Sequence, residues 1–239
     1  MSPVFMALSA ALRDFWQPRI LMLALVPPLA AFAVWIGFVW WFADDWARLV
    51  TGWIAGTSWL GWVRDWGLSS IFVWGSGIGV AALMLPIVLI TAMLVTDLVA
   101  MPVIVPFVGR LYYPGLERRK GGTLAGSLWN AAFAVVVFAM LWVISLPLWF
   151  TGIGALVLPP LLSAFFNQRM FRYDALAEHA SAAELAHVVR TSRDDLFLLG
   201  LLLSLLLYVP LINLTVPMLS ALAFTHFCLA RLAQLRAAG

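Results

Sequence analysis

Long apolar runs separated by short charged segments dominate the chain. Residues 20–42 form one such run, and about 20 residues at ~1.5 Å each suffice to cross the hydrocarbon core of a bilayer. A longer run favours a second spanning helix over residues 68–97. Before the first run, residues 1–15 read as a short amphipathic helix opened by Ser2 and Pro3. The pattern predicts two long transmembrane helices and a surface helix, with no cleaved leader, since no basic region precedes the first run.

Two further apolar runs are broken near their centres and carry basic residues on both sides. Residues 196–230 contain Pro210 and Pro217, and arms of roughly 14 residues around that centre are too short to cross a bilayer twice. Residues 124–166 have a similar break at residues 147–154, with arms of about 23 and 12 residues. Backbone that stops inside a bilayer is tolerated only where protein or water covers it. We therefore expect two re-entrant helical hairpins and an all-α membrane protein forming one domain over residues 1–239.

Composition and charge agree with this class. The chain is 64% hydrophobic and 10% charged, with a mean hydropathy of +1.01, which is typical of integral membrane proteins. All but Arg48 and Arg64 of the 14 basic residues lie in segments that the predicted topology places on one side. The positive-inside rule assigns that side, and both termini, to the cytoplasm. The net charge of +3 therefore indicates topology, and we expect no nucleic-acid partner.

No group of residues indicates an enzyme, a metal site or a cofactor. Glu184 and His187 have the Glu-x-x-His spacing of carboxylate-bridged metal sites, but the chain lacks the second copy and the further glutamates. We expect His179 and His187 to be solvent-exposed on a polar helical segment, residues 174–195, and His226 to be a hydrogen-bonded packing residue. No catalytic residue is predicted.

Polar groups at membrane depth or at helix ends are the candidate functional residues. The start of the first long helix offers backbone N–H groups and an arginine to an anion, although that arginine could instead serve topology alone. Polar groups at the tip of the second hairpin could bind a permeant solute or satisfy the broken backbone. The carboxylate near the end of the second long helix could relay protons or pair at the interface. The candidates are Gln17, Arg19 and Ile20 for the anion, Pro210, Asn213, Thr215 and Pro217 for the pore or tip, and Asp97 for the proton.

The segments Phe166-Asn-Gln-Arg-Met-Phe-Arg-Tyr-Asp174, Leu176-Ala-Glu-His-Ala-Ser181 and Tyr208-Val-Pro-Leu-Ile-Asn213 resemble the CysZ and etoposide-induced membrane protein family. The resemblance implies a bacterial inner-membrane protein with two long helices and two partly penetrating hairpins. It also implies sulfate uptake for cysteine synthesis, the best-studied role. Sulfate permeases of the family begin helix one with a Gly-Leu-Arg type sequence, where this chain has Gln17-Pro18-Arg19.

The expected function is thus a permease or channel for a small inorganic anion, with sulfate or a related oxyanion and the lipid bilayer as partners. A homo-oligomer is expected, because one 26 kDa chain with two re-entrant hairpins can hardly seal a pathway. The alternative is a membrane scaffold or biogenesis factor that binds a partner through residues 174–195.

Overall fold

The computed structural model describes residues 2–56, 100–149, 151–209 and 212–238. Contacts divide the chain into two compact units, one of Met1–Leu25 with Thr96–Gly239 and one of Val26–Val95. All regular structure in the described ranges is helical, as expected. The helices are α1 (Pro3–Phe15), α2 (Pro18–Gly56), α3 (described as Ala100–Tyr112), α4 (Leu124–Trp149), α5 (Ile153–Ala177), α6 (Ala182–Thr191), α7 (Arg193–Leu205) and α8 (Val216–Ala238), with 3-10 turns at Leu206–Tyr208 and Ile212–Thr215.

The amphipathic helix forms where the sequence predicts it. Proline begins α1, and Val4, Ala7 and Ala11 on its apolar face are buried. The helix packs on α8, and its outer face leaves Phe5 and Leu12 exposed. Burial of the small residues lets α1 approach α8 closely.

The first long helix extends further than the sequence predicts. It covers residues 20–42 but continues to Gly56, so the residues after the first apolar run are helical as far as they are described. No proline interrupts this extension, and Arg48 Nη2 lies 2.6 Å from Asp45 Oδ1, an i, i+3 pair that a helix permits. The predicted second spanning helix, residues 68–97, lies outside the described residues.

The first hairpin has its turn where the sequence predicts it, but its second arm is longer. Helices α4 and α5 pack together and are joined at Thr151-Gly152, where Gly152 has φ +73°, a conformation that favours glycine. Helix α5 has 25 residues and continues past residue 166 to Ala177, so the estimate of about 12 residues for this arm was wrong. That estimate counted only the apolar residues up to position 166, whereas the final turns of α5 are polar.

Two helices are long and apolar enough to cross a membrane, among the residues described, and they differ in burial. Ala125–Ser145 of α4 has a mean hydropathy of 2.1, yet only 6% of its most apolar window is buried. Its 21 residues span about 32 Å, close to the thickness of a bilayer core. Val216–Ala238 is instead 83% buried and forms the centre of its unit. The exposed apolar surface of α4 is typical of a helix in contact with lipid.

The second hairpin is also broken where its prolines predict. Helix α7 ends at Leu205, the two 3-10 turns follow, and α8 begins at Val216. Helix α7 packs closely on α5, because a Cβ at Gly200 would lie only 2.7 Å from the Ala164 carbonyl oxygen. Its 13 residues span about 20 Å, less than a bilayer core.

The sequence suggested a single polar helical segment over residues 174–195. The structure instead divides this segment among the end of α5, all of α6 and the start of α7. Ser181 and Glu184 form a capping box that starts α6 anew after the turn that ends α5. Glu184 also accepts hydrogen bonds from Arg236 and Arg119, at 2.9 Å each. This clamp fixes α6 against the end of α8.

Candidate anion-binding site

The connection between α1 and α2 is a tight hydrogen-bonded turn. The Gln17 N–H donates to the Asp14 carbonyl at 3.0 Å, and the Gln17 carbonyl accepts from the N–H groups of Ile20 and Leu21 at 2.9 Å each. Pro18 has no N–H and begins α2 with its φ already set for a helix. The start of α2 is therefore held firmly to the end of α1.

A buried carboxylate anchors this turn. Asp14 is 1% exposed, and its Oδ1 accepts a hydrogen bond of 2.6 Å from the Tyr112 hydroxyl. Its Oδ2 lies 2.9 Å from His226 Nε2, and the Gln17 amide reaches Oδ1 at 3.4 Å. A buried carboxylate is costly unless it is hydrogen-bonded, and these contacts satisfy it. They also join α1, α3 and α8 at the start of α2.

Arg13 completes the same cluster from its surface. Its Nη2 donates to the Tyr112 hydroxyl at 3.0 Å, and its guanidinium lies 5.4 Å from the centre of the Tyr112 ring. A cavity of about 240 Å³ reaches the cluster, with Arg13, Tyr112 and His226 in its wall. Arg13 therefore contributes to the Asp14 cluster although its side chain is exposed.

The structure separates the three residues predicted to bind an anion. Arg19 is exposed and has no hydrogen bond or ion pair within the described part of the chain. The Ile20 side chain is 2% exposed, and its N–H is already bonded to Gln17. Gln17 is partly buried and directed to Asp14. This geometry leaves the Arg19 guanidinium as the group available to an anion, and the site itself stays a prediction.

At the tip of the second hairpin, the described polar groups have local partners. The Thr215 hydroxyl donates to the Ile212 carbonyl at 2.7 Å, and the Asn213 N–H donates to the Val209 carbonyl at 3.1 Å. Pro217 is buried in the first turn of α8. The Thr215 contact supports the alternative that this side chain satisfies broken backbone, whereas the Asn213 contact is made by its own backbone N–H. Pro210 and Asp97 lie outside the described residues.

The histidines show what the sequence indicates and what it misses. His226 is a hydrogen-bonded packing residue, as predicted, but the sequence does not indicate its partner, 212 positions away. The prediction that His179 is exposed was wrong, because it is 1% exposed and packs against α3 at Gly109. Burial lowers the pKa of His179, which keeps the ring neutral at pH 7. Asp14 and Tyr112 were not recognised because each lies in a segment whose pattern only indicates amphipathic or apolar helix.

The helical fold of the described residues and the exposed apolar helix indicate a helical membrane protein. Residues 7–217 match the family described as Sulfate transporter CysZ/Etoposide-induced protein 2.4, and the chain belongs to that family. The resemblance noted in the sequence is thereby confirmed. No curated protein and no solved structure matches the chain.

Proposed function

We propose that the protein is a permease or channel for a small inorganic oxyanion, with sulfate as the leading candidate. The observation that carries the proposal is Arg19, an exposed guanidinium without a partner in the described residues, at the first turn of the 39-residue helix α2. Membership of a family that includes sulfate transporters supports the same class of solute.

The position of Arg19 suits a tetrahedral oxyanion. A guanidinium can donate two parallel hydrogen bonds to such an ion, and the N-terminal end of a helix favours negative charge. The buried Asp14 cluster holds the turn that carries Arg19, so the backbone at this position requires little ordering when an anion arrives. Preorganisation of this kind raises affinity.

The membrane arrangement that accompanies this proposal has both termini in the cytoplasm of a bacterial cell and both hairpins entering the inner membrane from that side. Helix α7 is too short to cross, which supports partial penetration of the second hairpin. The exposed apolar surface of α4 is available to lipid or to a second copy. A homo-oligomer is part of the proposal, since the pathway needs more protein wall than one chain supplies.

Transport of a dianion into a cell also requires an energy source. Inward movement against a negative interior costs roughly 2 × 2.3 kcal/mol per 100 mV. Net uptake therefore needs proton coupling or a metabolic sink, and a passive pore alone would favour export. Asp97 stays the proposed coupling residue.

The experiment is sulfate flux in proteoliposomes beside sulfate binding by calorimetry, at fixed ionic strength. Arg19→Ala should weaken binding about 10- to 150-fold, the effect of losing a charge-assisted contact. Arg19→Lys should be intermediate, since an ammonium keeps the charge and loses the fork. Arg110→Ala is the matched control, because Arg110 is also exposed and has no ion pair in the described part of the chain.

Equal and small effects of Arg19→Ala and Arg110→Ala would show that Arg19 serves topology only. Absence of wild-type flux in sealed vesicles would instead favour the scaffold function and contradict the permease.

A further inference from the structure

A second cationic site lies away from the start of α2, in a cavity of about 630 Å³ between α5, α6 and α7. Four arginines and one aspartate line it, an excess of three positive charges. Gln168, which also lines the cavity, is 6% exposed, and two phenylalanines contribute apolar surface. We call this cavity the arginine pocket; its charged residues are Arg169, Arg172, Arg190, Arg193 and Asp194.

None of the four arginines has a carboxylate of the described residues within ion-pair distance, and this holds for Asp194 in the same pocket. Arg172 donates from Nη1 to the Gln168 side-chain oxygen at 3.3 Å, a neutral acceptor. Arg169 stacks on the Phe133 ring at 4.2 Å, and its buried Nε has no hydrogen-bond partner. Arg231, by contrast, is paired with Asp195 at 2.6 Å.

When no anion is present, the positive charges of the arginine pocket repel one another. Burial, followed by the positive charges of Arg169 and Arg193, lowers the pKa of Arg172. A guanidinium nevertheless stays charged at neutral pH, so the repulsion persists in the folded protein. An anion placed among these groups would remove it.

The walls of the pocket are fixed by contacts outside it. The capping box and the clamp from Arg236 to Glu184 hold α6, which carries Arg190. Close packing at Gly200 holds α7 against α5. Charged groups of one sign held together on rigid elements are the arrangement by which proteins bind anions.

We propose that the arginine pocket binds a tetrahedral oxyanion group, supplied either by a free ion such as sulfate or phosphate or by the phosphate of an anionic lipid. Arginine forks match the oxygens of either source. The apolar wall and the size of the cavity accommodate a headgroup, and basic pockets on the cytoplasmic side of membrane helices bind such lipids. The proposal concerns binding alone and does not depend on the proposed transport.

The test uses the full chain in an Arg19→Gln background, so that the site proposed at α2 does not contribute. One arm measures sulfate binding by calorimetry in mild detergent at fixed ionic strength. The other measures retained phosphatidylglycerol by native mass spectrometry after release from nanodiscs of phosphatidylcholine with or without phosphatidylglycerol. Each arm compares Arg172→Gln and Arg172→Lys with Arg110→Gln, a matched loss of an exposed, unpaired charge.

Whichever of the two probes binds, Arg172→Gln should lower its affinity by about tenfold or more and Arg172→Lys by less. Arg110→Gln should lower that affinity by under about twofold. Binding of sulfate identifies a free-ion site, and retention of phosphatidylglycerol alone identifies a lipid site. Without either anion, Arg172→Gln should unfold at no lower a temperature than its parent, since it removes an unpaired charge.

Three results would overturn the proposal. The first is binding of neither probe in the Arg19→Gln background. The second is an equal effect of Arg172→Gln and Arg110→Gln. The third is a fall in unfolding temperature for Arg172→Gln that is the same with and without anion, which would mark Arg172 as structural. Loss of flux with retained binding would count only against the transport function.

Discussion

Replacing Tyr112 by phenylalanine removes one hydroxyl from the Asp14 cluster and leaves the ring in place. The hydroxyl donates at 2.6 Å to a carboxylate that is 1% exposed. Hydrogen bonds to charged groups contribute about 1.5 to 3 kcal/mol, and the buried Oδ1 would keep two long contacts, 3.4 Å from the Gln17 amide and 3.7 Å from Arg13 Nε. Arg13 loses an acceptor as well, but its side chain is 66% exposed and water can replace it. We expect the free energy of unfolding to fall by about 1.5 to 3 kcal/mol.

Denaturant unfolding in mild detergent, followed by tryptophan fluorescence, measures this change. Tyr208→Phe is the matched control, because the Tyr208 hydroxyl donates at 3.1 Å to the Leu156 carbonyl, a neutral group, and the residue is 49% exposed. The control should lose no more than about 1 kcal/mol. Equal losses in the two variants would refute the conclusion that a buried, charged acceptor makes the Tyr112 contact strong.

Three further predictions concern the clamp, the topology and the assembly. Hydrogen bonds from Arg236 lower the pKa of Glu184 to about 2, below its ordinary 4.5, so its contribution to stability is complete above pH 4.5 and is lost as the pH falls toward 2. The free energy of unfolding of Glu184→Gln should therefore vary less across that pH window than that of the wild type, by up to about 2 kcal/mol after solvent screening. An unchanged pH profile would contradict the clamp. An impermeant thiol reagent on intact cells should label a cysteine at Ser58 but not at Glu117, Ala183 or Ala238 in a Cys228→Ser background, and labelling at Glu117 or Ala183 would contradict the cytoplasmic loops. Native mass measurement should give a homo-oligomer, and an active monomer would count against re-entrant hairpins.

The sequence by itself determined the helical class, the amphipathic first helix and the two places where the chain reverses. Each depends on local chemistry that a single segment carries. The prolines at the start of α1 and near position 210 restrict the backbone whatever surrounds them. Glycine at position 152 permits the positive φ that the turn there requires. The family resemblance likewise depends on short runs of residues in order.

Only the tertiary structure decided which apolar helix is covered by protein. Hydropathy ranks Ala125–Ser145 above Val216–Ala238, yet 6% of the most apolar window of the first helix is buried and 83% of that of the second. An apolar side chain suits lipid and protein equally, so hydropathy does not separate the two surroundings.

The polar sites depend on the tertiary structure for a related reason. Asp14 and His226 are separated by 212 positions, and the arginine pocket draws its charges from three helices. The same arginines, met along the chain, indicate only which side of the membrane they occupy. Their proximity to one another follows from how α5, α6 and α7 pack, and that packing is set by the sum of many weak apolar contacts that no single segment records.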